Sequence, residues 1–489
     1  MLDLAHDVRE DIGSLDVLDI DQTSFESESP LVPRPTSGGS REPRRDWSAG
    51  LLSGHRLRVM VWFVLAVVGL FALQGWLWPN GASPNTWFES SWSWGSLVWL
   101  TALVPAALGF AGMLWYRHPS DLDDVAPIDH VVVFRIVSRG DNAEALLDTV
   151  QCCQTEMAAT PLFPYVIEVV TDHGHVELPD SPDIVHLVVP LDYQTANGSL
   201  YKARGLQYAL EHSTVPDEAW LVHLDEETQP TSSGIKGIAR MIAEEETSGQ
   251  LRIGQGALLY HRTWRRFPFL TLADNVRTGD DFARFHFQHR IGVTLFGLHG
   301  SYIVCRNDVE KAIGFDFGPQ GSITEDAFWA LKAMEDGRRS RWVEGYLEEQ
   351  STQSVIDFVK QRRRWWQGLA RVSIYAPVKL RYRLFLGFNT LTWALAPVGL
   401  LYTYVHFVWG FEVRPWVQLG ANLAFASFMV LYLIGLKANL DEHGIVGGSR
   451  RVKWYALQIV LFPVFSLMEA AGVAYAMVRP SPGFHVVKK

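Results

Sequence analysis

An α/β fold is predicted, a mostly parallel sheet in a soluble unit flanked by membrane-spanning α-helices. Three observations lead there. Between residues 120 and 382, short Val/Ile/Leu-rich runs alternate with helical patterns, the order expected of a doubly wound unit. Those runs are continuously apolar rather than alternating, as strands covered on both faces are. Five long apolar stretches lie outside that middle, two before it and three after. The mean hydropathy of +0.04 over 489 residues therefore averages two unlike parts. The expected layout is a tail over 1–50, two transmembrane helices within 51–119, the soluble unit over 120–382, and about three more transmembrane helices with a short end over 383–489.

Taken in order, the tail comes first. Residues 1–30 hold nine acids and a single base, Arg9, and the stretch to residue 50 is rich in Ser, Pro and Arg. Such a composition cannot bury a core, so it is expected to be disordered. Much of the net charge of −10 sits there, and charge gives no reason to expect a nucleic-acid partner. No short apolar run with a small-residue cleavage site opens the chain. Cys152, Cys153 and Cys305 show neither metal-ligand spacing nor a disulfide framework.

The apolar stretches cover 59–78, 96–116, 384–409, 417–436 and 455–478, each near the ~20 residues that cross a bilayer. Trp76, Trp78, Trp92, Trp94 and Trp115 lie near the ends of the first two, where interfacial aromatics belong. Arg41, Arg44, Arg45, Arg56 and Arg58 precede the first stretch, while 79–95 has no Lys or Arg. The positive-inside rule then makes the tail and the soluble unit cytoplasmic. Three further crossings would carry the C-terminus outside, against Arg479, Lys488 and Lys489. Either one stretch is re-entrant or the charge rule fails here.

In the middle, strands are expected at 130–137, 165–170, 184–190 and 219–224. Parallel sheets place ligands at the carboxyl ends of their strands. Polar residues stand there: Ser138 and Arg139 after the first, Asp172 after the second, Asp225-Glu226-Glu227 after the fourth. No dinucleotide fingerprint or P-loop occurs. In LVHLDEETQP, extended spacing would send Asp225 and Glu227 to one side and Glu226 to the other. Two carboxylates on one side suit Mg²⁺ or Mn²⁺; an ordinary solvated charge cluster suits the same residues equally well. In SITEDAFWALKA, Glu325 and Asp326 open an amphipathic helix, a place acids favour for the helix dipole alone. In QRRRWWQG, Gln361, Arg364 and Trp365 share one helix face, an arrangement for diphosphate and sugar or for a membrane interface.

Taken together, Asp172, the D-x-D-like pair Asp225 and Glu227, Glu325-Asp326 and Gln361-x-x-Arg364-Trp365 resemble the motif series of inverting family 2 glycosyltransferases with the GT-A fold. FRIVSRGD, LYKARGLQYALE, HLDEET, WVEGYLEEQS and QRRRWWQG are most similar to the egghead-type β-1,4-mannosyltransferases. Glu227 departs from the pattern, since many members carry Asp there. The C-terminal GFHVVKK resembles the gating segment of processive synthases, with Val487 where Thr would stand.

The resemblance implies a hexosyltransferase that moves mannose from GDP-mannose onto a lipid-linked glucosyl acceptor, with Mg²⁺ or Mn²⁺ as cofactor. It implies Asp326 as general base and Asp225 with Glu227 on the metal. Ser138, Arg139, Asp172, Lys202, Asp225 and Glu226 would bind the donor. Glu325, Gln361, Arg364, Trp365 and His299 would serve diphosphate or acceptor, although His299 is equally served by a structural reading. The basic, aromatic segment 262–287 lies at the lipid surface, walls the acceptor groove, or is an ordinary amphipathic helix. The implied partners are the nucleotide sugar, the lipid acceptor and the bilayer, with no protein partner inferred. A processive polysaccharide synthase using a UDP-sugar, a metal-dependent phosphohydrolase, and a receptor or transporter with a metal-binding domain remain as alternatives. The last would need charges inside the spans, where only Glu469 qualifies.

Overall fold

The computed structural model describes residues 54–78, 87–117, 122–172, 176–264, 266–445 and 447–480. The acidic tail and the GFHVVKK segment lie outside the described residues. The chain opens with α1 (Gly54–Leu77), α2 (Trp87–Gly95), a 3-10 segment (Ser96–Ala102) and α3 (Leu103–Trp115). There follow β1 (Val132–Ser138), α4 (Ala143–Ala159), β2 (Tyr165–Asp172), β3 (Ile184–Val189), α5 (Tyr201–His212), β4 (Trp220–Asp225) and α6 (Ser232–Ser248). Next come β5 (Ile253–Leu259), α7 (Pro268–Asp280), a π-turn, α8 (His286–Ile291), β6 (Ile303–Arg306) and α9 (Asn307–Ile313). The soluble unit closes with α10 (Glu325–Glu335), β7 (Ser340–Glu348) and α11 (Val355–Tyr375), and the chain ends with α12 (Leu380–Trp409), α13 (Pro415–Glu442) and α14 (Gly448–Val478).

One seven-stranded sheet runs β3-β2-β1-β4-β6-β5-β7. Strands β1 to β4 pair in parallel, β6 is antiparallel to both its neighbours, and β7 is parallel to β5. This is the GT-A arrangement. The four expected strands appear within two residues of their expected bounds. Ser138, Asp172 and Asp225 are the last residues of β1, β2 and β4, so the register carries all three to one rim.

Both faces of the sheet are covered, which is why its strands are mostly apolar, with Arg135, Glu168 and His223 buried within them. Leu146 and Val150 of α4 and Ile235 and Ile238 of α6 pack on Phe134, Ile136, Ile167 and Val222. Leu206 of α5 and Trp329 and Ala330 of α10 pack on Val133, Val170 and Leu221. None of the three cysteines is in a disulfide, and all three are buried.

Among the described residues, five helical stretches are long and apolar enough to cross a membrane: Gly54–Leu77, Ser91–Trp115, Leu380–Trp409, Pro415–Glu442 and Gly448–Val478. The central one, α13, is fastened to the sheet. Asn439 accepts from the backbone of Tyr260 at 2.7 Å and donates to Asn275 of α7 at 2.8 Å. Gly435 lets the α7 backbone approach so closely that a Cβ there would stand 2.0 Å from the Asn275 carbonyl oxygen. Small residues make such helix contacts possible in lipid.

The last helix bears on the crossing parity. Near its start, Trp454 packs edge-on against Trp264, which follows β5, at 4.7 Å. Near its end, Gly472 abuts Val359 and Arg362 of α11, and Tyr475 lies under Arg363 at 4.2 Å. Both ends of α14 thus lie against the soluble unit, the arrangement a re-entrant course would give.

Candidate active site

The acid run LVHLDEETQP does not stay extended. After Asp225 the chain turns, with the Thr228 amide bonded to the Asp225 carbonyl at 3.0 Å. The side-to-side alternation expected for 225–227 is therefore replaced by a turn. That turn is braced from beneath. Ser301 accepts from the Asp225 amide at 3.1 Å and meets the Thr228 hydroxyl at 2.9 Å, and Thr228 donates to Glu349 at 2.9 Å. A backbone bridge between Gln229 and Glu348 brings Glu349 alongside. One carboxylate oxygen from each of Asp225, Glu227 and Glu349 lies within 4.8 Å of the other two. The donor set is all carboxylate, which fits a hard divalent cation.

Lys202, in the first turn of α5, supplies the local counter-charge. Its ammonium bonds Asp225, donates to the Gly300 carbonyl at 2.9 Å and lies 3.8 Å from Glu325. Those acids hold its pKa above the ordinary lysine value despite burial. Tyr201 and Tyr302, both with left-handed φ, flank the Lys202–Gly300 contact. Strained backbone of this kind costs about 1–3 kcal/mol and concentrates at functional sites.

Glu325 and Asp326 form the first turn of α10 and line the same cavity. Burial pushes both carboxyls up; the charge of Asp326 adds to this at Glu325, which reaches about 8, and Lys202 opposes it at both. Asp326 accepts from the Ala327 amide at 2.7 Å, a bond that favours its ionised form. Arg364 of α11 reaches the cluster from above. Burial lowers its pKa, while Asp225, Glu325, Glu227 and Asp326 pull it back up. The final glycine of QRRRWWQG has its reason here too, since a Cβ on Gly368 would stand 2.4 Å from Thr324, the residue before Glu325. Gly368→Ala is expected to displace Glu325 and Asp326 and lower kcat by about tenfold or more, with donor KM changed less; steady-state kinetics checks it.

A single cavity of about 1530 Å³ touches every residue singled out above: Ser138, Arg139, Asp172, Lys202, Asp225, Glu226, Glu227, His299, Glu325, Asp326, Gln361, Arg364 and Trp365. Several are engaged differently from expectation. Arg204 bonds one oxygen of Asp172, and Ser138 donates to Glu226 at 2.5 Å. Arg139 stands half-exposed at the rim beside Asp141. Gln361 accepts from Arg362 at 2.6 Å. The Trp365 ring carries the guanidinium of Arg277 at 4.0 Å and that of Arg362 at 4.4 Å, so a sugar would share this aromatic with cations. His299 was expected either to face the diphosphate or to be structural. Its Nδ1 accepts from Arg277 at 2.9 Å, which leaves the proton on Nε2, 3.0 Å from Asp281 though off the line of a good bond. Both nitrogens face protein groups, an arrangement that fits the structural reading, with His299 bonded to Arg277.

Sequence reasoning missed Glu349, Arg277 and Arg362. Glu349 lay in WVEGYLEEQS, a segment already noted for its similarity; nothing local marked it as a partner of a turn 120 residues earlier. Segment 262–287 does wall the cavity, through Val276, Arg277, Asp280, Arg284 and Phe285. Arg362, wholly buried, binds Asp274 at 2.8 Å and Glu469 at 2.6 Å. The lone charge inside the last span is thus the partner of an arginine in the motif helix, not a transport residue.

A fold and site of this kind define a nucleotide-sugar transferase, and the family model for glycosyl transferase family group 2 matches residues 220–438. The chain is 30% identical over 396 residues to the Drosophila melanogaster β-1,4-mannosyltransferase egh, covering 80% of this chain and 85% of the relative. It is 28% identical over 379 residues to the Caenorhabditis elegans β-1,4-mannosyltransferase bre-3, covering 76% and 82%. The chain belongs to glycosyltransferase family 2. Among solved structures it is similar to a mannosyltransferase of Pyrobaculum calidifontis in complex with GDP-Man and Mn²⁺, with 13% identity and a TM-score of 0.44, covering 79% of this chain and 99% of that one.

Proposed function

We propose that this protein is a membrane-embedded inverting mannosyltransferase that moves mannose from GDP-mannose onto a lipid-linked sugar in β-linkage, with the glucosyl β-1,4 linkage as the specific form. The observation that carries the reading is the convergence of Asp225, Glu227, Glu349, Lys202, Asp326 and Arg364 on one cavity that continues between apolar helices. The similarity to two β-1,4-mannosyltransferases supports mannose as the sugar and β-1,4 as the linkage.

Asp225, Glu227 and Glu349 would hold Mg²⁺ or Mn²⁺, which when bound supplies positive charge for the departing diphosphate. Arg364 adds a fixed charge at the same leaving group, and Lys202 holds Asp225 in place through the bond between them. Asp326 takes the proton of the acceptor hydroxyl as that oxygen attacks the anomeric carbon opposite the leaving group. Ser138, Glu226 and the Asp172–Arg204 pair shape the pocket for the nucleoside. We assign the soluble unit to the cytoplasmic side, a reading that the basic flank of α1 supports.

The test is a panel of GDP- and UDP-sugars with a glucosyl lipid, read by mass spectrometry. GDP-mannose with addition of a single hexose is expected. A ladder of hexoses from a UDP-sugar, or donor cleavage without acceptor at the full rate, would replace the reading by the synthase or the phosphohydrolase.

A further inference from the structure

We infer that the membrane half of the cavity holds the hydrocarbon chain of the acceptor lipid, in an elongated compartment that measures chain length inward from the active site. The inference rests on the acceptor reading above and deepens it.

Helices α12 and α13 are consecutive, joined only by residues 410–414, a connection short enough to set two helices side by side. They scarcely touch. Instead α12 packs on α11, and α13 packs on α1, α3 and α7, while the 3-10 segment and α14 pack on both and close the cavity between them. On α12 the lining runs from Asn389, which accepts from Arg284 at 2.9 Å beside the active site, to Phe407. At the helical rise that span is about 27 Å, close to the ~30 Å of a bilayer's hydrocarbon core. The whole volume also exceeds the roughly 300–1,000 Å³ that one small ligand fills.

The lining decides the occupant. Leu395, Ala396, Leu400, Phe425, Phe428 and Phe462 face the middle of the compartment. At its far end Gln74 of α1 and Asn422 of α13 exchange amide bonds at 3.1 Å each, and Gln418 donates to Asn422 at 3.1 Å. Those amides largely satisfy one another across the end of the compartment. A sugar chain, with a hydroxyl on most carbons, would lose its water there and regain few hydrogen bonds. An alkyl chain loses nothing and restores the dispersion contacts that an unfilled apolar volume forfeits.

The test uses the full-length protein in nanodiscs with GDP-mannose and octyl, hexadecyl and docosyl β-glucosides. Ala396→Trp and Thr403→Trp place an indole about 10 and 21 Å along α12 from Asn389. The wild type is expected to use all three acceptors, and octyl glucoside is expected to react alike in all three proteins, which also reports intact folding. Ala396→Trp should raise KM at least tenfold for hexadecyl and docosyl glucosides, and Thr403→Trp for docosyl glucoside alone. A diazirine at the docosyl terminus should label residues near Asn422. Parallel loss of all three acceptors, unchanged long-chain kinetics, or a hexose ladder shortened by the tryptophans would overturn the compartment. Absence of transfer to any glucoside by a wild type that binds GDP-mannose would instead remove the acceptor reading beneath it.

Discussion

Asp326→Asn is expected to lower transfer by about 10²–10⁴-fold while nucleotide binding stays largely intact. The substitution keeps the side chain's size and its bond from the Ala327 amide, and removes only the capacity to accept a proton from the acceptor. Its surroundings make a second readout possible. Burial holds the Asp326 carboxyl above the usual aspartate range, with Lys202 opposing. A base works when ionised, so activity should fall as pH drops through that raised value. The acid limb of kcat/KM should lie above the ordinary carboxylate range in the wild type and be missing from the residual rate of Asp326→Asn. Loss of nucleotide binding with the rate would move Asp326 to the donor side.

The second large effect falls on the metal side. Asp225→Ala removes one of three carboxylates that lie within 4.8 Å of one another, and also the main partner of Lys202. Changes even to residues that only orient metal ligands cost 10–100-fold in affinity, so direct removal should weaken Mn²⁺-dependent nucleotide binding by at least about a hundredfold. Glu349→Gln should weaken it less, because Glu349 also accepts from Thr228 and an amide oxygen can keep that bond. A normal Mn²⁺ titration of Asp225→Ala would remove the ligand assignment.

How much of this could be read in the residues alone differs by element. Strand ends were legible because a doubly covered parallel strand is a run of apolar residues broken by a polar one, and Ser138, Asp172 and Asp225 break theirs. The helix carrying Glu325 and Asp326 and the shared face of Gln361, Arg364 and Trp365 follow from helical spacing. The turn after Asp225 was not legible, since its stability comes from Ser301 and Thr228 rather than from local propensity. Neither was Glu349, delivered by a bridge between the loop after β4 and the end of β7, far apart in sequence. Buried ion partners hide in the same way: Arg135 and Glu168 sit within runs that read as apolar, yet bond each other across β1 and β2 at 2.5 Å. The course of α14 escaped because length and apolarity describe a helix's surroundings and not where its ends return.

Two alternatives can be weighed on particular residues. A receptor or transporter would use a charge in its spans, and Glu469 is taken up by Arg362. A polysaccharide passage would need hydrogen-bond partners all along its wall; Thr392, Thr403 and Ser466 offer a few, but the lining is mostly apolar, with Leu395, Phe425 and Phe428 at its middle.

The most direct test is to incubate the purified protein with GDP-mannose and a glucosyl lipid, with and without chelator, and weigh the lipid. A gain of a single hexose is expected, absent in chelator and restored by added Mn²⁺ or Mg²⁺. The same gain at the same rate in chelator would contradict an acid cluster that works through a bound cation.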